Sequence, residues 1–82
     1  MKVRIEIPHQ YQRDQYTRQE FIDEVMMWGL ETEIDIDYYT IKTEYENNRT
    51  WGRVKHMWAV FIVEADMTFL FTLRWGALLH KA

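Results

Sequence analysis

The chain has 82 residues, four tryptophans, no cysteine and a formal net charge of −3. That length supports one domain around one modest core, so residues 1–82 read as a single unit. The lack of cysteine excludes a disulfide framework, a thiolate metal site and a thiol nucleophile, and the apolar, aromatic-rich composition excludes a disordered chain.

Charge is unevenly placed. From Asp14 to Glu46 ten acids stand against Arg18 and Lys42, a net −8, while the remainder carries three acids against eight bases, a net +5. A molecule polarised in this way can steer partners or stack on itself. The leading MKVRIEIPHQ holds no apolar run of signal-peptide type, so a cytoplasmic location is the default expectation.

In chain order, Val3, Ile5 and Ile7 alternate with Lys2, Arg4 and Glu6, the pattern of a strand with one buried face, which Pro8 ends. A polar loop follows from His9 to Tyr16. Thr17-Arg-Gln-Glu20 has the form of a capping box and predicts a helix starting at about Arg18. Phe21, Ile22, Val25, Met26 and Trp28 make its apolar stripe, and Gly29 is placed to stop it with Leu30 following.

Glu31 to Tyr45 reads as a second strand. Ile34, Ile36 and Tyr38 share one parity, whereas Tyr39, Ile41 and Thr43 share the other, so a β-bulge is expected at Tyr38-Tyr39. Asn47-Asn48 signals a turn. With that turn Ile41 meets Val54, Tyr39 meets His56, Ile36 meets Trp58 and Ile34 meets Val60. Trp51 to Trp75 then reads as a hairpin around Glu64-Ala65-Asp66-Met67. Val63 pairs with Thr68 in this register, and Trp58, Val60 and Ile62 face the core with Phe69, Phe71 and Leu73.

A transmembrane helix over Met57–Leu73 is rejected. The run is at the lower limit of a span, about 17 residues, and Glu64 and Asp66 would each cost roughly 3 kcal/mol near its centre. Gly76 ends the hairpin, and Ala77 to Ala82 leaves room for at most one helical turn.

The expected fold class is α+β, a two-layer β-α-β-β-β sandwich with one helix on a four-stranded, mostly antiparallel sheet. The position of the first strand is open between pairing with the third and with the fourth. The sheet's far face is expected to show Lys2, Arg4, Arg53, Lys55, Met57, Phe61, Leu70 and Arg74. Such a partly apolar face ringed by bases suits a protein interface, a homodimer contact or single-stranded nucleic acid.

A second candidate surface is an acidic belt of Glu20, Asp23, Glu24, Glu31, Glu33, Asp35, Asp37, Glu44 and Glu46. Carboxylates on a rigid scaffold can imitate nucleic-acid phosphates and occupy a basic groove, although alternating charges on an edge strand also serve to block edge pairing. A third candidate is His56 beside Tyr39 and Trp75, a pair type capable of proton transfer and equally at home as a satisfied core histidine. His9, His56 and His80 lack metal-ligand spacing, and the three glycines form no phosphate loop, so no cofactor or metal is expected.

The leading strand, helical segment and three strands ending in Leu73-Arg74-Trp75-Gly76 and His80 resemble the layout of RelE-type ribosome-dependent ribonuclease toxins. That resemblance implies RNA held and cleaved by Arg53, Lys55, His56 and Arg74. This chain departs from the family in having one short helix and net negative charge.

The reading favoured by the sequence is a small, non-enzymatic acidic binding protein. It acts as a nucleic-acid mimic, an inhibitor occupying a surface of a larger nucleic-acid-handling protein. Small acidic proteins of this kind are often encoded by phages or other mobile elements. The alternatives are RNA binding or RelE-like cleavage through the basic sheet face, and a homo-oligomeric structural protein.

Overall fold

In the computed structural model, residues 1–48 and 51–78 are described; Arg49, Thr50 and residues 79–82, including the His80 cited above, lie outside the described residues. The fold is α+β, with three antiparallel strands in one sheet and two helices. The strands are β1 (Lys2–Glu6), β2 (Ile36–Tyr45) and β3 (Val54–Val63), and the helices are α1 (Gln15–Glu31) and α2 (Thr68–Trp75). The sheet order is β1-β3-β2, so the first strand pairs with the third.

β1 forms as its alternation predicts. Ile5 and Ile7 are fully buried, and Arg4 and Glu6 point to the opposite face. Its pairing with β3 runs from Lys2 opposite Ile62 to Glu6 opposite Trp58. The Ile7 amide extends the ladder by donating to the Met57 carbonyl at 2.8 Å.

α1 begins one turn earlier than the Thr17 signal indicates. Asp14 is the N-cap: its carboxylate accepts from the Thr17 amide at 2.9 Å, and the Asp14 amide donates to the Thr17 hydroxyl at 3.1 Å. The box is therefore Asp14-x-x-Thr17, because a carboxylate is the stronger acceptor for the orphan amides of a first turn. The Thr17 backbone bond holds the Asp14 carboxyl below its ordinary range.

The helix also runs past Gly29. Thr32 is the C-cap, and Glu33 adopts a left-handed φ of 58°. The Ile34 amide donates to the Gly29 carbonyl at 2.9 Å and the Glu33 amide to the Leu30 carbonyl at 3.3 Å, which together make a Schellman stop. Gly29 has a different role from the expected stop. A Cβ there would lie 2.8 Å from Ile36 Cδ1 and 3.2 Å from the Ile34 carbonyl oxygen, so the glycine lets α1 sit close on the start of β2.

β2 carries the expected bulge: Tyr38 pairs with Phe61 and Thr40 with Val60, leaving Tyr39 as the extra residue. The expected cross-strand register is displaced, however. Ile41 meets Ala59 rather than Val54, and Ile36 meets Val63 rather than Trp58. The connection is longer than an Asn47-Asn48 turn. Asn47 does take a left-handed φ of 61°, but the loop closes only where the Glu46 amide donates to the Arg53 carbonyl at 2.9 Å. A second irregularity follows, with Glu44 opposite His56 and Tyr45 opposite Val54, so that Lys55 is extra on β3.

The largest correction falls on the last element. Thr68–Trp75 is a helix, preceded by a 3-10 turn at Ala65–Met67, and not a fourth strand. β3 is the central strand and has β1 on one edge and β2 on the other, so neither edge is open to a following strand. The segment instead presents Met67, Phe71, Trp75 and Leu78 at helical spacing to the core, with Phe71 and Trp75 buried.

Both helices cover one face of the sheet. Phe21 packs edge-on to Trp75 with centroids 6.0 Å apart, Trp28 to Phe71 at 6.0 Å, and Phe71 meets Phe61 of β3 at 6.4 Å. The core-facing residues of β3 are Met57, Ala59, Phe61 and Val63, opposite to the expected parity. Both faces of this central strand are apolar, so alternation alone gave its orientation no sign. Among the described residues no helix is long and apolar enough to cross a membrane.

Candidate functional site

The helical layer has an uncovered apolar surface. α2 is apolar around most of its circumference: while Phe71 and Trp75 enter the core, Phe69 stays 70% exposed and Leu73 68% exposed, with Leu70 beside them. A helix apolar on both sides has one side without a partner. α1 lies beside it: Phe21 and Trp28 both meet Trp75, and Trp28 also meets Phe71. Its Glu20, Asp23, Glu24, Met27 and Glu31 are exposed. Arg74 of α2 reaches Glu24 of α1 at 3.9 Å, a surface pair worth little by itself that marks where the acidic and apolar strips adjoin.

The acidic belt is not one surface. Glu20, Asp23, Glu24 and Glu31 lie on α1, and Glu33 and Asp35 lie in the exposed connection to β2. Asp37, opposite Ile62, and Glu44, opposite His56, fall on the sheet face away from the helices. Glu44 there pairs with Lys55 at 3.5 Å. The even spacing of acids in the sequence hid this division, because the bulge at Tyr39 and the turn after α1 each change the side on which the next carboxylate emerges.

The open sheet face also differs from its expected make-up. Met57 and Phe61 belong to the core, with Phe61 fully buried. Leu70 and Arg74 are on α2, in the other layer. Lys55 is exposed at the irregular end of β3, and Arg53 is in the loop before it. Lys2 and Arg4 do lie on this face. They are joined by Glu6 of β1, by His56, Trp58, Val60 and Ile62 of β3, and by Thr40 and Lys42 of β2.

Among the described residues no helix covers this side, yet Trp58 is only 5% exposed. Its cover is made by long side chains. The Arg4 guanidinium lies 5.1 Å from the ring, and the His56 ring stacks on it at 5.4 Å. Nearby, the Lys2 ammonium sits 4.0 Å over the Tyr39 ring. Between β1 and β2 a shallow cavity of about 330 Å³ is lined by Lys2, Arg4, Tyr39, Thr40, Lys42 and Val60.

The His56–Tyr39–Trp75 group is not assembled. His56 Nδ1 lies 2.7 Å from Glu6 Oε1, Tyr39 is under Lys2, and Trp75 is in the core on the other side of the sheet. The four residues implied by the toxin resemblance are likewise dispersed. His56 faces the open side and Arg74 the helical layer, while Arg53 is in the loop and Lys55 at the strand irregularity. Among the described residues no three His, Asp or Glu side chains cluster as a metal site.

Sequence reasoning missed Phe69 and Leu73 as surface residues, having placed them in the core. It missed Lys42 and Tyr39 as members of the open face. The spacing Met67, Phe71, Trp75, Leu78 was the available signal for the first pair. For the second, the bulge was recognised but the side to which it turns Tyr39 was not. Comparison with protein-family models, with curated proteins and with solved structures gives no match.

Proposed function

We propose that this chain is a small non-enzymatic binding protein that docks its helical layer on a basic, apolar-centred surface of a larger protein. The observation that carries this reading is that two exposed strips, Phe69, Leu70 and Leu73 on α2 and Glu20, Asp23 and Glu24 on α1, meet where Arg74 reaches Glu24 at 3.9 Å. An apolar centre with a charged rim is the usual anatomy of a specific interface. Rim carboxylates add orientation and speed of encounter with a cationic partner. A groove that ordinarily holds nucleic acid has that charge, so an inhibitor of a nucleic-acid-handling protein is the specific form proposed, with the chain as a partial mimic of phosphate. The mimic is the acidic edge of α1 rather than the whole belt, because Asp37 and Glu44 are on the other face.

The test is capture of partners by the tagged chain from nuclease-treated lysate, followed by competition with nucleic acid. The expected result is a stoichiometric protein that nucleic acid displaces and that Glu20→Lys/Asp23→Lys/Glu24→Lys no longer retains, with an unchanged thermal melt. Undiminished capture by this triple variant would overturn the charge argument. A homodimer that Phe69→Glu converts to monomer in sedimentation would instead assign the apolar strip to self-association.

A further inference from the structure

The cavity on the open sheet face is separate from the helical layer, and a different set of observations bears on it. Three cationic side chains border it: Lys2 and Arg4 from β1 and Lys42 from β2. Among the described residues none of the three forms an ion pair with a carboxylate. None of this face's acids is in the lining: Glu6 is held by His56, Glu44 by Lys55, and Asp37 shares the cross-strand row of Ile62 and Lys2 without an ion pair to Lys2. Like charges therefore converge in the lining with no carboxylate among them.

The floor is apolar and partly aromatic. Val60 is almost fully buried at its centre, and the Tyr39 ring, half exposed, stands at its β2 side. Thr40 contributes a hydroxyl at the wall. The Tyr39 bulge creates the space, since the extra residue moves β2's side chains out of step with those of β3. The aromatic contacts hold Lys2 and Arg4 in place, so part of the ordering cost of two long cations is met before any ligand arrives.

We propose that this cavity binds a nucleotide unit, with its phosphate among Lys2, Arg4 and Lys42 and its base over Val60 and against the part of the half-exposed Tyr39 ring that Lys2 does not cover. Three cations and a hydroxyl match the several acceptor oxygens of a phosphate better than the two of a carboxylate. The volume, about 330 Å³, exceeds what a phosphate alone needs and falls at the small end of ligand sites. Ring stacking is tolerant of base identity, so the site would read phosphate and a planar ring rather than sequence. The same chemistry is offered by a free mononucleotide and by one residue of a single strand.

The experiment measures fluorescence anisotropy of a labelled short oligothymidylate with the full chain at a series of salt concentrations, and adds thymidine monophosphate as competitor. The wild type is expected to bind at low salt. Engagement of one phosphate by the three cations gives a log–log salt slope of about −0.7 on a single strand. Lys42→Ala, a change at an exposed position, is expected to weaken binding about tenfold and to flatten that slope by a part of its value. Lys55→Ala, which removes a cation outside the cavity, is expected to leave both unchanged. Displacement by the monophosphate assigns a closed single-nucleotide pocket, and binding without displacement assigns a track for a strand; either upholds the site. No binding by the wild type at low salt, or equal weakening by Lys42→Ala and Lys55→Ala, overturns it.

Discussion

Replacing Phe71 and Phe69 one at a time separates the helical from the extended form of the last element. In a strand the two rings share a face and have similar burial. In the helix they are two residues apart, about 200° around the axis. Phe71 is fully buried against Trp28 and Phe61, whereas Phe69 is 70% exposed. Burying a whole phenylalanine is worth about 1.5–3 kcal/mol, so the remaining three-tenths at Phe69 amounts to roughly 0.5–1 kcal/mol. Phe71→Ala loses the transfer term and leaves a cavity, roughly 3–5 kcal/mol in all. A domain of this size has roughly 4–12 kcal/mol of stability, so that variant can unfold outright. Phe71→Leu, at roughly 1–2 kcal/mol, keeps the measurement within range. Urea denaturation followed by tryptophan fluorescence and far-UV dichroism gives both values. Equal losses for Phe69→Ala and Phe71→Ala would refute the helix, the central position of β3 and the interface built on Phe69 and Leu73.

Three further changes test the local structure. Glu33→Gly removes a non-glycine residue from a left-handed position and is expected to stabilise by about 1 kcal/mol, seen as a melting temperature several degrees higher. Gly29→Val, by contrast, drives a branched side chain into Ile36 and the Ile34 carbonyl and is expected to destabilise by about 2 kcal/mol or more in the same melt. Asp14→Ala removes the N-cap and lowers the melting temperature at neutral pH. Because the folded Asp14 carboxyl is shifted down, its contribution is complete above the unfolded carboxylate pKa and fades as pH falls through the folded one. The difference between wild type and Asp14→Ala should therefore shrink toward acid, and a difference that grows toward acid would contradict the capping geometry.

Legibility in the sequence followed physical uniqueness. β1 was readable because only one of its faces is apolar, and the bulge at Tyr39 was readable because the parity of isoleucines changes there. The apolar stripe of α1 was readable, but its ends were not. Two overlapping capping patterns compete at Asp14 and Thr17, and Gly29 serves close packing while Glu33 takes the conformation a glycine usually adopts. The segment Thr68–Trp75 satisfies a period of two and a period near four equally well. Its choice is made by tertiary structure, once β1 occupies the edge of β3. The candidate surfaces inherited these errors. Each residue type was identified correctly, but the inversion of β3 exchanged Met57 and Phe61 for Trp58 and Val60, and the helical form of the last segment moved Leu70 and Arg74 to the opposite layer.

The central placement of β3 also orders events in time. Lys2 pairs with Ile62, and the Met1 amine donates to the Val63 carbonyl, so β1 is made well before the strand that it pairs with. During synthesis Val3, Ile5 and Ile7 have no sheet to join, and β2 likewise waits for β3. Neither β1 nor β2 has a strand to pair with until β3 emerges from the exit tunnel, so sheet formation is a late step in synthesis. Truncation before β3 removes the strand with which both others pair, and so the sheet as a whole and not one strand of it.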